Sequence, residues 1–343
     1  MSEATLALRQ PLPWQQARWD ELAAMRREQR LPHALLLVGG AGIGKRHFAR
    51  ALIALTLCEQ PGDIACGQCR SCAQLAAGTH PNASLLSVDG HLGLALSDDG
   101  RAEQGLVHWE PDEDRKRREI PIDAARNLIA KLAFASHYGS ARCTLIEPAD
   151  GLNTSSVNAL LKTIEEPPAA THLLLVTERP QALTATLRSR CQRVRLPRPD
   201  AAQARAWMHA AGVRDDEALD FALGAPLRAL ALAEADGVGL RRQWAELWQA
   251  VASQKKDPLT AATAVDKELI AEHLHWAQHW LVVQLRERLL ADAAPAAREA
   301  VAQMAQDVVE AQRRVAGNAQ AQLVMESLFI RWVRLSRSAR QSA

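Results

Sequence analysis

The chain has 343 residues, of which 48% are hydrophobic and 23% charged, and its formal net charge is +2 at pH 7. This length suffices for two or three domains and the apolar content for sizeable cores, which excludes a disordered chain. The near-neutral charge excludes binding to nucleic acid or anionic lipid through a global basic field. The first residues lack the apolar core of a signal peptide, and no stretch approaches the roughly 18 apolar residues of a membrane span, so we expect a cytoplasmic protein.

The first 200 residues predict an α/β domain. A buried strand at 34–38 is followed by a glycine-rich turn at 39–44 and an amphipathic helix at 46–57. Further short apolar runs alternate with helical patterns and predict a parallel sheet that is covered on both faces. These runs lie at 84–88, 143–147, 173–177 and 193–196. At 89–119 the periodicity disappears, and the charged, Gly- and Pro-containing composition predicts a solvated loop insertion.

The turn after the first strand fits the phosphate-loop pattern G-x-x-x-x-G-K. Its Gly39, Gly44 and Lys45 are the residue types that turn backbone N–H groups and one ammonium toward phosphate oxygens. Arg46, however, stands where such a loop needs the Ser or Thr hydroxyl that ligates Mg²⁺. The sequence therefore predicts a degenerate phosphate loop. This pattern leaves residual nucleotide binding as a possibility and disfavours hydrolysis of ATP with Mg²⁺.

The second nucleotide-binding element should be a strand that ends in acids which hold Mg²⁺ and polarise water. The run at 143–147 lies in the right place, but it ends in Glu147 followed by Pro148, and proline cannot act as a base. The two defects favour an inactive nucleotide fold over an active ATPase. In an inactive site, Glu147 and Asp150 are interpreted as solvated or helix-capping carboxylates.

Four of the six cysteines lie close together in the pattern C-x7-C-x2-C-x2-C. They are Cys58, Cys66, Cys69 and Cys72. The polar stretch between the first two can bend back, which would bring four thiolates around one ion. Structural Zn²⁺ prefers such a closed tetrahedral sulfur shell, and an iron–sulfur cluster is the alternative, although nothing else suggests redox work. The remaining Cys143 and Cys191 are predicted to be buried thiols.

Strand signals end near residue 199, and the remaining sequence predicts helices only. Short helices rich in Ala and Leu fill 199–239, and long amphipathic helices fill 240–343. With the α/β section at 1–198, this predicts three domains. Four tryptophans at i, i+4 spacing are interpreted as core packing, with base stacking as the alternative. They are Trp244, Trp248, Trp276 and Trp280.

The segment Leu187–Cys191, LRSRC, precedes the last predicted strand. An isolated surface arginine forms ordinary ion pairs by default. At the edge of a nucleotide fold, an arginine can instead reach the γ-phosphate in a neighbouring subunit's site.

Several stretches together resemble the bacterial clamp-loader ATPases of the AAA-plus class, and within that family the delta-prime type of DNA polymerase III. The stretches are His33–Lys45, Cys58–Cys72 with Ala77–Pro81, Asn158–Pro168, Leu187–Cys191 and Asn318–Leu328. The resemblance implies a RecA-like domain with a zinc module inserted at 58–72, a small helical lid and an all-α collar. It also implies that Arg190 is an arginine finger used in trans, and that Arg228 is a weaker candidate for the lid's sensor arginine.

The function implied by the resemblance is that of a non-hydrolysing stator subunit. Such a subunit helps to load the sliding clamp on primed DNA and has no catalysis of its own within the polymerase holoenzyme. The implied partners are gamma/tau and delta subunits in a hetero-pentamer, with the clamp and DNA contacted through the assembly at the cytoplasmic, nucleoid-associated replisome, and no membrane. Two alternatives remain: an ATP-hydrolysing motor of the gamma/tau type, and a zinc-dependent DNA-binding module, against which the small net charge argues.

Overall fold

A computed structural model describes residues 9–97, 105–110, 119–134, 141–214, 216–234 and 237–341. The chain divides into two compact units, Met1–Gln203 and Ala204–Ala343. In the described residues the first unit is built on a β-sheet and the second is helical. No helix in these ranges is long and apolar enough to cross a membrane.

The sheet of the first unit has seven strands. They are β1 (Ala34–Val38), β2 (Ala83–Ser87), β3 (Gly90–Gly93), β4 (Val107–Trp109), β5 (Arg142–Ile146), β6 (Thr171–Thr177) and β7 (Gln192–Arg195). Their spatial order is β4-β3-β2-β5-β6-β1-β7. The five strands from β2 to β7 in this order are parallel, whereas β3 and β4 extend the sheet in antiparallel register. The predicted α/β fold is confirmed, but the sheet is mixed and not purely parallel.

The prediction of a solvated loop at 89–119 is wrong for the part that the structure describes. Strand β3 follows β2 through a tight turn, and Leu92 lies buried opposite Leu85. Strand β4 then pairs with β3. These segments are too short for a periodic pattern, and their strand state comes from pairing with an existing sheet edge. Residues 98–104 and 111–118 of the predicted insertion lie outside the described residues.

Helices cover both faces of the sheet, as predicted. The helices of this unit are α1 (Gln16–Arg27), α2 (Lys45–Leu57), α3 (Arg70–Ala76), α4 (Ile122–Ala133), α5 (Thr154–Glu165) and α6 (Ala185–Ser189). Side chains of a strand alternate between the two faces. Accordingly, Leu35 and Leu37 of β1 pack in one core with α1 to α3, whereas Leu36 and Val38 pack in a second core with α4 to α6.

Eight further α-helices follow in the residues described, and the first of them begins just before the unit boundary at Gln203. They are α7 (Ala201–Ala210), α8 (Asp216–Phe221), α9 (Pro226–Glu234), α10 (Gly237–Ala252), α11 (Pro258–Thr263), α12 (Ile270–Leu290), α13 (Pro295–Ala316) and α14 (Ala321–Gln341). Their buried residues form one small cluster between Ala204 and Val238 and one large cluster between Trp244 and Trp332. The boundary between a lid and a collar remains a prediction.

Trp244, Trp248 and Trp276 lie in the large cluster and the partly buried Trp280 packs against it, so the interpretation of these tryptophans as core packing is confirmed. The Trp248 side chain is fully buried, and its indole N–H donates to Nε2 of His273 at 2.8 Å. Trp332 donates in turn to the backbone carbonyl of Trp248 at 3.0 Å. Two indole N–H groups of the aromatic core are thus hydrogen-bonded inside the unit, whereas Nδ1 of His273 is buried without a hydrogen-bond partner in the described structure.

Candidate functional site

The phosphate loop connects β1 to the start of α2, and its backbone requires glycine. Gly42 and Gly44 have φ angles of 66° and 86°, which side chains rarely adopt. At Gly39, an added Cβ would lie 2.5 Å from Ile43 Cδ1 and 3.1 Å from the carbonyl oxygen of Leu196. The loop therefore has the turned backbone, at a helix amino terminus, that binds anions in other proteins.

Two side chains from the amino-terminal segment hold this loop in place. The indole N–H of Trp14 and the amide of Gln15 both donate to the carbonyl oxygen of Ile43 at 2.9 Å. The Gln15 amide also donates to the carbonyl oxygen of Gly44 at 3.0 Å, and this side chain is fully buried. Neither contact can be predicted from the sequence, because nothing in the local pattern signals a contact across almost thirty residues.

The lysine of the loop already contacts other groups of the protein. Lys45 is 5% exposed, and its Nζ donates to the carbonyl oxygen of Gly40 and lies 3.3 Å from Oε1 of Glu178. Burial lowers the pKa of Lys45, and the Glu178 charge opposes that shift. In a working loop this ammonium binds the outer phosphates. Here a nucleotide would have to replace contacts that the ammonium already makes.

Arg46 is paired with the acid at the end of β5. Its Nε lies 2.9 Å from Oε1 of Glu147, and Nη2 of Arg50 lies 3.6 Å from the same oxygen. The side chains of Glu147 and Arg50 are 7% and 1% exposed. The carboxylate in the position expected to face Mg²⁺ therefore faces two guanidinium groups. The interpretation of Glu147 as a solvated or capping carboxylate is wrong, because α2 covers the end of β5.

Asp150 is also buried and paired, so the same interpretation is wrong for this residue. Its Oδ1 accepts from the Thr177 hydroxyl at 2.7 Å, and its Oδ2 accepts from Nη2 of Arg179 at 2.6 Å. The side chain of Asp150 is 4% exposed. Strands β5 and β6 are neighbours, and their carboxyl ends bring these three residues together. Both acids of the second nucleotide element are thus occupied by protein groups.

The four clustered cysteines converge between α2 and α3. Their sulfur atoms all lie within 4.8 Å of one another, and none forms a disulfide. Backbone N–H groups of residues 66, 67, 69 and 72 donate to these sulfurs at 3.3–3.4 Å. Two of the cysteines are buried and two are partly exposed, and the group packs against the first core.

This cluster fits a tetrahedral metal ion. Zn–S bonds of about 2.3 Å place the sulfurs of a regular tetrahedron about 3.8 Å apart, close to the 4.0 Å between Cys58 Sγ and Cys69 Sγ. The backbone N–H groups point at the sulfurs, and such bonds stabilise thiolates. Hydrogen bonds lower the pKa of Cys66 to about 6, whereas burial raises the pKa of Cys58 and Cys72. Cys143 and Cys191 are free and buried, as predicted.

Arg190 follows α6 as its C-cap residue, in the first unit. Its Nε contacts Oε1 of Glu165, its Nη1 donates to the backbone carbonyl of Thr186 at 3.0 Å, and its side chain is 35% exposed. The guanidinium is therefore held at the surface by one carboxylate. Arg228 lies in α9 of the second unit, and its sensor role stays a prediction.

Comparison with known proteins decides the family. The family model described as "DNA polymerase III, delta subunit" matches residues 14–200. The DNA polymerase III subunit delta' of Pseudomonas aeruginosa is 36% identical over 257 residues, which cover 73% of this chain and 69% of that protein. The chain belongs to the DNA polymerase III delta-prime family. The Escherichia coli delta' subunit is 32% identical over 77% of this chain and 73% of its own length.

The delta-prime family is related to the tau subunits of the same polymerase. Escherichia coli tau is 32% identical to this chain over 178 residues, but these cover 51% of the chain and 23% of tau. The delta-prime match extends over about three quarters of the chain. Assignment to the delta-prime family is therefore better supported than assignment to the tau subunits.

Proposed function

We propose that this chain is a non-hydrolysing stator subunit of a DNA polymerase III clamp loader. It helps to load the sliding clamp on primed DNA and supplies Arg190 to the ATP site of a neighbouring subunit. One observation carries the non-hydrolysing assignment: Arg46 and Arg50 contact the Glu147 carboxylate. A guanidinium at this position opposes Mg²⁺ directly, and phosphoryl transfer in such sites depends on that ion.

The partners proposed are gamma/tau and delta subunits in a hetero-pentamer at the replisome in the cytoplasm. The delta-prime and tau names of the relatives support membership of such an assembly. Zn²⁺ is proposed as a structural cofactor, bound by the four cysteines that the fold gathers within 4.8 Å. With four sulfur ligands the shell is closed, so the ion would stabilise the module and take no part in catalysis.

The first experiment measures ATP hydrolysis by the purified chain with Mg²⁺. We expect no steady turnover and no change on Lys45→Ala, because Lys45 and Glu147 are both held by protein groups. The alternative function is an ATP-hydrolysing motor of the gamma/tau type, and the tau relationship is the observation in its favour. Steady turnover that Lys45→Ala abolishes would establish that alternative and overturn the non-hydrolysing assignment.

The second experiment tests Arg190 in the assembled loader with its gamma/tau and delta partners. Arginine fingers contribute about 10³–10⁵ to the rate at the site they complete, so Arg190→Ala should silence the neighbouring site in the DNA-stimulated ATPase assay. Arg126→Ala is the matched control, since Arg126 lies in α4 of the same unit and forms an exposed pair with Asp123. An unchanged ATPase rate with Arg190→Ala would contradict the finger assignment.

A third variant uses the contact that holds Arg190 in the single chain. To reach a neighbouring phosphate, the guanidinium must leave Glu165. Glu165→Gln weakens that contact without changing the side-chain size, so we expect it to preserve or raise the ATPase rate of the assembled loader. A loss as large as that of Arg190→Ala would show that the Glu165 contact itself is needed in the active assembly.

A further inference from the structure

The first unit contains a cavity away from the phosphate loop. Its volume is about 250 Å³, and it lies between the end of α4 and the beginnings of β2 and β5. The phosphate loop follows the carboxyl end of β1, and β1, β2 and β5 belong to the parallel part of the sheet. The cavity therefore lies at the amino ends of the parallel strands, opposite the carboxyl ends that carry the degenerate nucleotide site.

Two cations line this cavity, and no carboxylate among the described residues does. Nζ of Lys131 lies 2.5 Å from Nε2 of His108, a neutral acceptor that gives the ammonium no counter-charge. Arg142 uses Nη1 and Nη2 for backbone carbonyls, including that of Leu132 at 2.7 Å. Its Nε is buried and has no hydrogen-bond partner in the described structure. Burying charge without pairing is costly, so such a site favours an anion.

The rest of the lining is partly polar and partly apolar. The hydroxyls of Ser84 and Thr144, which are register partners on β2 and β5, lie 3.0 Å apart at the cavity wall. Each hydroxyl can still donate or accept one more bond. Leu106 and Phe134 contribute apolar surface, and Phe134 is 74% exposed. An apolar wall beside two cations and two hydroxyls is the arrangement of many small-ligand sites.

We propose that this cavity binds a small organic anion, with the anionic head at Lys131 and Arg142 and an apolar body against Leu106 and Phe134. The site lies outside the residues used in the proposed clamp-loader function, so the two can fail independently. A phosphate or carboxylate head would receive a charge-assisted hydrogen bond from the Lys131 ammonium, and the positive charge of the Arg142 guanidinium, which is held by backbone carbonyls, would attract it further.

The ionisation of Lys131 supports the same assignment. Burial lowers its pKa to about 8, so the ammonium is mostly protonated at pH 7 and loses its proton at moderate alkaline pH. The imidazoles nearby are those of His80, His91 and His108, whose pKa values are lowered by burial to about 4, 3 and 4, so they are neutral across this range. Anion binding should therefore weaken as the pH rises above 8.

The test is calorimetric titration of the full chain with phenyl phosphate, inorganic phosphate and phenol. We expect phenyl phosphate to bind most tightly, because it has both the charged head and the apolar body. Lys131→Met should weaken its binding about tenfold to a hundredfold, the usual contribution of a charge-assisted bond. Lys162→Met, at an exposed lysine of α5 in the same unit, is the control and should bind like the unchanged chain.

A second variant keeps Lys131 and Arg142 and fills the cavity volume that the ligand would occupy. Leu106→Trp fills the cavity from its apolar wall and should abolish binding of phenyl phosphate, which also tests the site if Lys131→Met folds poorly. A Kd for phenyl phosphate above about 1 mM would overturn the proposal. So would equal binding by Lys131→Met and Lys162→Met, or equal binding of phenol. Inorganic phosphate that binds as tightly as phenyl phosphate would refute the apolar part of the site.

Discussion

Metal removal tests the cysteine cluster most directly. Cys72 is 3% exposed, belongs to the first core, and accepts a hydrogen bond from the backbone N–H of Gly67. Replacing it by serine removes one of the four sulfurs that the fold holds within 4.8 Å of one another. With three sulfurs left, we expect the ion to be lost and residues 58–72 to detach from the core, because nothing else in the cluster replaces the fourth ligand.

The expected loss of stability on removal of the ion follows from the linkage between metal binding and folding. Structural zinc sites bind with about 10–16 kcal/mol at neutral pH, and an ion present at 1,000 times its Kd stabilises the folded state by about 4 kcal/mol. For a unit of this size, each kcal/mol shifts the melting temperature by about 2–4 °C. Chelation or Cys72→Ser should therefore lower the melting temperature of the first unit by roughly 8–16 °C.

The assay combines calorimetric melting with elemental analysis under reducing conditions. The unchanged chain should contain about one zinc per molecule, and Cys72→Ser none. Cys143→Ala is the matched control: this thiol is buried in β5 outside the cluster and should leave the zinc content unaltered. A chain that melts at the same temperature before and after chelation, or a Cys72→Ser protein that keeps its zinc, would refute the metal assignment.

Three further measurements test contributions to stability from a glycine at positive φ, a helix cap and a buried histidine. Gly67→Ala should destabilise the first unit by about 1–3 kcal/mol in urea titration, because φ is +77° and only glycine adopts this backbone without strain. The Arg9 guanidinium, which the new Cβ would meet, is the end of a flexible side chain and can move aside. Gly212→Ala, at φ +87° with nothing within 4 Å, should therefore lose a comparable amount, and no loss at either glycine would contradict this. Asn153→Ala removes the cap that accepts from the Ser156 N–H at 2.9 Å and should cost about 1 kcal/mol in the same assay. Burial lowers the pKa of His273 to about 3, so below pH 6.5 the unfolded chain binds more protons than the folded chain. The second unit should therefore be fully stable above pH 6.5 and should lose up to about 1.4 kcal/mol of unfolding free energy per pH unit below it. Unfolding midpoints that do not change with pH would contradict this.

Structural features that depend on residues close together in the sequence can be predicted well. The glycine-rich turn follows a buried strand and opens a helix, and its spacing is enough to identify the phosphate loop and its missing hydroxyl at Arg46. The cysteine spacing likewise predicts a cluster that the fold brings together. Both features are local, because the residues concerned lie within one turn or one short loop. Helix periodicity also gave the tryptophan core, since i, i+4 residues share a face.

Residues whose environment depends on distant segments were predicted poorly. Glu147 and Asp150 are predicted to be solvated or helix-capping carboxylates, yet Glu147 is buried against α2 and Asp150 is paired with Thr177 at the end of β6 and with Arg179 beyond it. Arg50 gave no signal, because a single arginine in an amphipathic helix normally lies on its solvent face. The strands at 90–93 and 107–109 were missed, since short strands are stabilised by the sheet edge they join.

Residue types at fixed short spacing are enough to predict the family, the degenerate phosphate loop and the four-cysteine cluster from the sequence. The sequence does not reveal that Arg46 and Arg50 face Glu147, that Lys45 lies beside Glu178, or that Lys131 and Arg142 line one cavity. These pairs come from separate strands and helices. Their distances are set by how the sheet packs, and no local pattern encodes that packing.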